Sequence, residues 1–385
     1  MFSFDTLQSV VPDPGTYIIE KRIKSYASRI FFIEDRGQKF CVKMWRERNT
    51  LLYQTTDPLL RAMYLLDGFY FNSQHAPGVY IGIAPIQLVL KNGENEDNAS
   101  ALTLLPVLTM PQKNDLMHDQ EYALVMKRLE DEWQLSKLLP GKLANPRGME
   151  VLARQIFLMH QRLSMEAHDL ARACAIGNVD HLSKKLLLNI NLFLKALKFV
   201  ALTKAEKARY KYITYSISCA FKKWRHDFVQ REKGQHIRRC HGDLKATNLW
   251  LCPQEKDAVD LLRHETSLLA LDCIDFMPEF CYIDTLSDVA MLAVDIELYA
   301  MNTPERNAGE FSGEALATYF LESYLKQVQE WHPNVWRLLK YYMVEKAMIG
   351  TYGSVLNDEQ KEVGKQYLYL AYRHAMDLQH LLREL

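Results

Sequence analysis

The residues of this chain that could do chemistry together lie in one short segment, HGDLKATN at positions 241–248. An aspartate, Asp243, is followed five residues later by Asn248, on a polar loop that opens into an apolar strand. Phosphoryl transfer uses this spacing, because the aspartate orients the acceptor hydroxyl and takes its proton while the asparagine ligates Mg²⁺. The segment therefore predicts catalysis at Asp243 and metal binding at Asn248.

Two further elements that phosphoryl transfer needs stand elsewhere in the chain. An acid at the end of an apolar strand can hold Mg²⁺ against the β- and γ-phosphates, and Asp272 follows SLLAL with Asp275 just after it. A lysine on an early strand neutralises the α- and β-phosphates, and Lys43 ends the stretch FCVK. Each residue alone has an ordinary explanation as a turn residue or a solvated lysine. Their order along the chain favours a kinase-like fold.

The elements that must position these residues fall into two kinds. Up to about residue 130 the pattern predicts a mainly antiparallel sheet with one helix. The expected short strands TYIIEKRI, RIFFIED and QKFCVKMW begin within 16–44. Further strands are expected at 79–90, 101–110 and 121–129, and the helix at 57–76.

The remainder has helical periodicity with little glycine or proline. Helices are expected at 151–163, 182–200 and 204–231 and throughout the tail from Gly313 to Leu385. The fold class is therefore α+β, a two-lobed protein-kinase-like fold with a β-rich N-terminal lobe and a mainly helical C-terminal lobe. The boundaries are 1–130 for the nucleotide-binding lobe and 131–385 for the helical lobe, which includes the catalytic loop 240–251 and the metal-binding strand end 267–276.

The catalytic loop resembles the HGDxxxxN loop of aminoglycoside phosphotransferases and related small-molecule kinases. A closer resemblance is to a bacterial family of aminoglycoside-phosphotransferase-like proteins, often fused to a C-terminal P-loop ATPase domain. It covers nearly the whole chain, and its most specific stretches are RRCHGDLKATNLWL (238–251) and LDCIDFMPEFCYIDTLSDVAMLAVDIE (271–297). The sequence holds no GxxxxGK[ST] motif, so we expect the kinase-like part alone.

The resemblance implies a role for each matching residue. Asp243 matches the catalytic aspartate, Asn248 the metal-binding asparagine and Lys43 the nucleotide lysine. Asp272 matches the metal acid, but Asp275 competes for that role because the alignment slips by three residues here. Lys245 either contacts the γ-phosphate or faces solvent. The hinge that would bind adenine through its backbone matches Met126, Lys127, Arg128 and Leu129.

Other residues near these motifs match supporting positions. His241 is expected to pack and form hydrogen bonds that hold the loop, Asp288 to anchor the catalytic-loop backbone, and Asp284 to belong to the same support. His160 lies on the apolar face of a predicted helix and is expected to be a core histidine with its hydrogen bonds satisfied.

The sequence departs from the kinase pattern in three places. The turn KSYAS at 24–28 has no glycine where a GxGxxG loop would lie. The helix position that would carry a glutamate for Lys43 holds Asp67, with Gly68 beside it. The loop between Asn248 and Asp272 is long. The departure at Asp67 leaves open the alternative that the protein is a degenerate enzyme.

Composition and charge limit the other classes of function. The chain has 385 residues, 48% of them apolar, and no apolar run long enough for a membrane span. The seven cysteines form no CxxC pair, and the N-terminus has no secretory pattern, so we expect a cytoplasmic protein with reduced thiols. The net charge is zero, but residues 161–245 carry 18 basic and 7 acidic residues, and residues 246–385 carry 11 and 22. Either these two segments face each other, or the basic one attracts an anionic partner.

These observations predict a phosphotransferase that uses ATP and Mg²⁺ to phosphorylate a hydroxyl of a small molecule. The alternative is a nucleotide-binding pseudokinase or regulatory module without turnover. A protein kinase is disfavoured, because only about 15 residues separate Asp272 from Asp288, too few for a peptide-binding segment. Neither a membrane nor a nucleic-acid partner is expected. The sequence does not identify the acceptor or the oligomeric state.

Overall fold

A computed structural model describes residues 10–25, 27–49, 54–90, 95–163, 167–254, 265–302, 311–356 and 360–383. Contacts divide the chain into two compact units, Met1–Glu130 with Leu269–Met277, and Asp131–Leu268 with Pro278–Leu385. Most of the strand end 267–276, expected in the helical part, therefore belongs to the first unit. The reason is apolar packing, since Leu269, Leu271 and Phe276 lie against the buried cluster around Trp45 in that unit.

The first unit is a seven-stranded antiparallel sheet with one long helix. The strand order across the sheet is β1-β6-β5-β7-β4-β3-β2. The elements are β1 (Gly15–Ile18), β2 (Lys21–Lys24), β3 (Ser28–Asp35), β4 (Gln38–Trp45), α1 (Pro58–His75), β5 (Tyr80–Val89), β6 (Ala101–Leu104) and β7 (Tyr122–Lys127).

The alternation of side chains along β4 explains how this sheet places a lysine. Phe40, Val42 and Met44 point to one face and join a buried cluster there. Cys41 and Lys43 point to the other face, because successive strand residues alternate. That face is covered by α1, whose buried residues pack with Trp45, Tyr80 and Met126.

Helix α1 begins and ends where its sequence indicates. The Asp57 side chain accepts a hydrogen bond from the Leu59 N–H at 2.9 Å, and Pro58 occupies the first turn, where its missing N–H costs nothing. The helix ends at His75, within one residue of the expected end.

Two expected strands differ from the observed ones. The strand predicted at 101–110 ends at Leu104, two residues before Pro106, which has no N–H for the ladder. The stretch TYIIEKRI divides into two strands with different partners, because β1 pairs with β6 and β2 pairs with β3.

The second unit is mainly helical. Its elements are α2 (Leu135–Leu138), α3 (Pro146–Arg162), α4 (Ala167–Ile176), α5 (Val179–Ala196), α6 (Lys204–Lys223), α7 (Arg225–Lys233), β8 (Ile237–Arg239), β9 (Leu249–Pro253), β10 (Thr266–Ala270, whose last two residues belong to the first unit), α8 (Pro278–Cys281), β11 (Tyr282–Asp284), α9 (Thr285–Met301), α10 (Gly313–Val328), α11 (Pro333–Val355) and α12 (Lys361–Arg383). The helix predicted over 204–231 is interrupted at Trp224, whose φ and ψ of −103° and 20° are not helical.

Helix α9 lies at the centre of the second unit. Its residues from Leu286 to Leu298 are all buried, and it packs against α10 and α11, while α11 also packs against α12 and α5. An antiparallel sheet followed by this helical assembly confirms the predicted α+β, kinase-like fold class.

Among the described residues, none of the helices is both long enough and apolar enough to span a bilayer.

Candidate active site

The segment HGDLKATN forms a loop in the second unit that begins beside a short two-stranded sheet. Strand β8 pairs with β11, and the Cys240 N–H continues the pairing by donating to the Cys281 carbonyl at 2.7 Å. Strand β11 runs directly into α9. The loop and the N-terminal half of α9 are thereby held side by side.

Asp288, in the first turn of α9, fixes the start of the loop. Its two carboxylate oxygens accept the backbone N–H groups of His241 at 3.1 Å and Gly242 at 2.9 Å. Gly242 has a φ of +84°, which glycine adopts without strain. The sequence-based prediction that Asp288 anchors this backbone agrees with these contacts.

The three candidate residues of the loop contact one another. The Lys245 ammonium donates to the Asp243 carboxylate at 2.8 Å. The amide nitrogen of Asn248 donates to the Asp243 carbonyl at 3.0 Å and to its carboxylate at 3.3 Å. The amide oxygen of Asn248, the atom a Mg²⁺ ion would require, takes part in neither bond. Asp243 and Lys245 both remain partly exposed.

The other supporting residues also have defined contacts. The His160 ring lies 2.8 Å from the Tyr324 hydroxyl and 3.3 Å from the Asp288 carboxylate. His241 is fully buried. Asp284 instead accepts the Leu286 N–H at the start of α9 and pairs with Nη2 and Nε of the Arg231 guanidinium, at 2.7 and 2.8 Å. It stabilises the helix start rather than the loop itself.

Sequence reasoning missed two residues that hold the loop. Asp295 accepts the Ala246 N–H at 2.7 Å and the Tyr367 hydroxyl, while Lys346 donates to the Gly242 carbonyl at 3.3 Å. Both are buried. Burial raises the pKa of Asp295 to about 6, although the Tyr367 and Ala246 hydrogen bonds act to lower it. The sequence signal that could have found Asp295 is the presence of charged residues inside a mainly apolar helical run, MLAVDIELYA.

In the first unit, Lys43 and Asp272 form an ion pair although 229 positions separate them. Burial acts to lower the pKa of Lys43, but the carboxylates of Asp272 and Asp275 outweigh it, so the pKa is raised. The Asp272 side chain is 58% exposed, whereas that of Lys43 is 15% exposed. The structure therefore brings together the two residues that the sequence assigned to phosphate and to metal.

Asp272 has a left-handed backbone conformation, with a φ of +61°. Non-glycine residues seldom adopt it, so neighbouring contacts must hold it. The Asp272 N–H donates to the Tyr80 hydroxyl at 3.1 Å, and the Cys273 N–H donates to the Asn72 side-chain oxygen at 2.8 Å. Asn72 in turn donates to the Gly68 carbonyl at 2.9 Å within α1. Helix α1 thus positions the metal candidate through Asn72.

Asp275 lies against the same helix in a different environment. A Cβ atom added at Gly68 would overlap the Asp275 carboxylate, so the glycine makes room for it. Desolvation raises the pKa of Asp275 to about 7, with Lys43 acting to lower it and Asp272 acting to raise it. Asp272 and Asp275 are thus the acids that act most strongly on the charge of Lys43, and the helix acid Asp67 acts on Asp275.

The hinge candidates extend from the end of β7. Met126 is buried and lies opposite Cys41 and Tyr80 in the sheet. The Lys127 N–H donates to the Val79 carbonyl at 2.9 Å, and the Arg128 N–H donates to the Lys39 carbonyl at 3.0 Å. These two N–H groups therefore already donate hydrogen bonds within the first unit. Leu129 packs against the buried cluster beneath α1.

The candidate residues thus form one group in each unit, Lys43, Asp272, Asp275 and the hinge in the first, and Asp243, Lys245 and Asn248 in the second. Two features noted from the sequence lie partly outside the described residues, namely the turn at 24–28, through Tyr26, and the loop before Asp272, through residues 255–264.

Comparisons with known proteins add a likeness of architecture. No protein-family model matches the chain, and no curated protein matches it. Solved structures similar to it include the ethanolamine kinase of Plasmodium vivax, with 12% identity, a TM-score of 0.42 and coverage of 94% of this chain and 83% of that one. A mutant aminoglycoside 2'-phosphotransferase-IIIa in complex with GDP has 12% identity, a TM-score of 0.46 and coverage of 93% and 92%. A glucosamine kinase with glucosamine, ADP and phosphate has 11% identity, a TM-score of 0.42 and coverage of 97% and 96%. Similarity at this level assigns neither a family nor an activity to the chain. An activity has to be argued from the chain's own residues.

Proposed function

We propose that this protein is a phosphotransferase of the aminoglycoside-phosphotransferase-like kind, which uses ATP and Mg²⁺ to phosphorylate a hydroxyl group of a small molecule. The reaction would take place in the cytoplasm, and all seven cysteines being free thiols is compatible with that compartment. The substrate is defined here only by its hydroxyl group, since fold and loop chemistry do not select one.

The observation that carries this proposal is the ion pair between Lys43 and Asp272. A strand lysine and an acid after a distant strand have no structural need to meet, and the backbone at Asp272 is held in a strained conformation by Tyr80 and Asn72. Strained residues of this kind cluster at functional sites. In the proposal, Lys43 binds the α- and β-phosphates, and the exposed carboxylate of Asp272 is the metal ligand.

The donor atoms suit Mg²⁺, which prefers carboxylate and amide oxygens. Asp272 offers an exposed carboxylate, and Asn248 offers the amide oxygen left unused by its two hydrogen bonds to Asp243. Bound ATP with Mg²⁺ would supply the phosphoryl group and the positive charge that offsets the charge developing on it.

Asp243 would orient the acceptor hydroxyl and take its proton. The carboxylate is held from one side by Lys245 and Asn248, and its backbone is fixed by the anchors Asp288 and Asp295 on either side of it. Such positioning supplies much of the rate gain in a reaction where the protein does little covalent chemistry. Lys245, which donates to Asp243 in the structure, would supply positive charge to the γ-phosphate when ATP is bound.

The experiment that tests nucleotide binding is thermal unfolding of the protein with ATP, with and without Mg²⁺. ATP at about 100 times its dissociation constant should stabilise the native state by roughly 2.7 kcal/mol. The shift should require Mg²⁺ and disappear in Asp272→Ala, but persist in the control Asp119→Ala, an exposed aspartate of the same unit. An unchanged melting temperature at millimolar ATP would contradict the proposal.

A binding module without turnover is the second candidate. It is favoured by the sequence at the helix position that would carry a glutamate for Lys43, which holds the shorter Asp67. The ion pair that Lys43 forms in the structure is with Asp272. Asp243→Asn separates the two functions. If the protein is an enzyme, the variant should bind ATP as before and lose turnover, including slow hydrolysis of ATP, by orders of magnitude. Wild-type protein that binds ATP but hydrolyses none with any acceptor offered would establish the second candidate.

A further inference from the structure

Helix α6 presents a straight row of positive charge that the phosphotransferase chemistry does not use. Lys204, Lys207, Lys211 and Lys222 are separated by 3, 4 and 11 residues, which places all four on one face of a helix. We call these four residues the lysine stripe. All four are exposed, and at 1.5 Å per residue the stripe extends over about 27 Å.

The charges of the stripe are not neutralised within the part of the chain that the structure describes. None of the four lysines forms an ion pair with a described residue. Glu206, the nearest acid in sequence, lies on the other side of the helix and closes the N-terminal capping box with Thr203. Just beyond the stripe, Arg225 does pair with Asp180, at 2.7 Å. The stripe is therefore a surface whose charge is available to a partner.

Exposed aromatic side chains accompany the lysines. Tyr215 lies on the same face, between Lys211 and Lys222, and is 62% exposed. Phe199, shortly before the helix, is 60% exposed, with Lys198 beside it also exposed. Basic residues with one exposed aromatic ring among them and another just before the helix match the two needs of a single-stranded nucleic acid, which are phosphate neutralisation and a surface on which bases stack.

The rest of α6 disfavours a lipid surface as the partner. A helix that binds a membrane inserts an apolar face. The apolar face of α6, with Ile213, Ile217 and Phe221, is buried instead, and the helix packs against α11 and α12. What remains outside is polar and positively charged, with a single aromatic ring on the stripe.

We propose that the lysine stripe of α6, together with Tyr215, binds single-stranded nucleic acid through its phosphates and bases. The sequence alone showed only an excess of basic residues over 161–245 and did not favour such a partner. The structure adds their alignment on one exposed face and the aromatic ring among them. This proposal is independent of phosphoryl transfer.

The test is fluorescence anisotropy of a labelled 20-nucleotide oligothymidylate with the full chain, between 50 and 200 mM NaCl. The variant K204Q/K207Q/K211Q/K222Q removes the stripe. The control K113Q/K137Q/K142Q/K326Q removes the same charge from four exposed lysines on other elements. Unchanged melting temperatures would establish that both variants fold. Phosphatidylserine vesicles and oligoglutamate are measured in parallel as the competing partners.

We expect the logarithm of the binding constant to fall linearly with the logarithm of salt concentration. The stripe variant should have a slope shallower by about 3, at about 0.7 per lysine, while the control keeps the wild-type slope. Tyr215→Ala should weaken binding about tenfold at every salt concentration, leaving the slope unchanged. Absence of binding at 50 mM NaCl would overturn the proposal, as would equal loss in both quadruple variants. Binding of vesicles or oligoglutamate that depends on the stripe, without binding of the oligonucleotide, would overturn it too.

Discussion

Asp272 and Asp275 are identical residues three positions apart, yet their surroundings differ. Asp272 is exposed and paired directly with Lys43, whereas Asp275 is partly desolvated against Gly68, with its pKa raised to about 7. A metal ligand must reach the nucleotide, which favours Asp272. In the proposed function, a carboxylate beside Lys43 takes the place of the glutamate expected on the helix, and Asp275 lies near enough to act on the charge of Lys43.

The amide variants of Asp272 and Asp275 should distinguish a metal ligand from a carboxylate that only accompanies Lys43. Asp272→Asn should abolish the difference between ATP with Mg²⁺ and ATP with EDTA in thermal unfolding, because it removes the charged metal ligand. Asp275→Asn should keep the requirement for Mg²⁺ but reduce the size of the shift, because Lys43 loses a carboxylate neighbour and binds ATP more weakly. The reverse pattern would transfer the metal role to Asp275.

Asp288 gives a prediction about pH. Burial acts to raise its pKa, but His160, His241 and Lys346 outweigh it and lower the pKa to about 2, below the ordinary value of 3.8. A group with a depressed pKa stabilises the native state above its unfolded pKa, and this contribution is lost as the pH falls towards the folded pKa. Its size here is about 2 kcal/mol, lost between roughly pH 4 and pH 2.

Chemical denaturation of wild type and Asp288→Asn between pH 7 and pH 2 measures this contribution. The variant should be less stable at pH 7, since one amide cannot accept both backbone N–H groups, and the difference between the two proteins should shrink below pH 4. Two stability curves that run parallel down to pH 2 would show that Asp288 is not the group responsible.

At the scale of elements, the order of strands and helices followed from periodicity, and their ends followed less well. The run QKFCVKMW matched β4 exactly in extent, because a turn and alternation mark both of its ends. The break at Trp224 and the short β6 were missed, because a helical or apolar pattern continues across both positions. The local hydrophobic pattern shows which face of an element is apolar. It does not show where a helix is interrupted or where a strand stops pairing with its neighbour.

The same limit applies to the candidate site. Asp243, Asn248 and Lys43 were recognisable because short motifs mark them. Asp295 and Lys346 hold the loop from helices α9 and α11, far along the chain, and only the packing of those helices reveals their contacts. Likewise, the segment 269–277 could not be assigned to the first unit before its apolar packing on that unit was known.

Helix α1 contacts the segment that carries Asp272 and Asp275 through two of its residues, and this contact leads to a prediction. Asn72 fixes the Cys273 backbone, and Gly68 leaves space for Asp275. Gly68→Ala should therefore displace the Asp275 side chain and reduce ATP binding, while the gain in helix propensity, up to about 1 kcal/mol, offsets any loss of stability.

The matched control is Gly353→Ala in α11, where an added Cβ has nothing within 4 Å. It should raise the free energy of unfolding by roughly 0.5 to 1 kcal/mol with ATP binding unchanged. Calorimetric titration with ATP and Mg²⁺ distinguishes the two variants. Equal ATP affinity in Gly68→Ala and wild type would show that Asp275 is not required at its present position.

At the scale of the whole molecule, charge is balanced in total and uneven in distribution. The chain carries 47 basic and 47 acidic residues, but residues 161–245 have an excess of 11 basic residues and residues 246–385 an excess of 11 acidic ones. The lysine stripe shows that part of the basic excess faces solvent and is not neutralised by described acids. The simple explanation that the two segments cancel each other is therefore incomplete for α6.

A molecule with zero net charge and an exposed positive stripe should attract its own copies at low salt near pH 7. Net charge no longer keeps copies apart, and the stripe of one copy attracts acidic surface of another over a Debye length of about 10 Å at 0.1 M salt. Static light scattering should give a negative second virial coefficient at 20 mM NaCl that rises towards zero at 200 mM. The K204Q/K207Q/K211Q/K222Q variant should remove most of the attraction, and the K113Q/K137Q/K142Q/K326Q control, with the same net charge, should remove less. An equal effect in the two variants would mean that the total charge alone, and not its arrangement on α6, determines the attraction between copies of the protein.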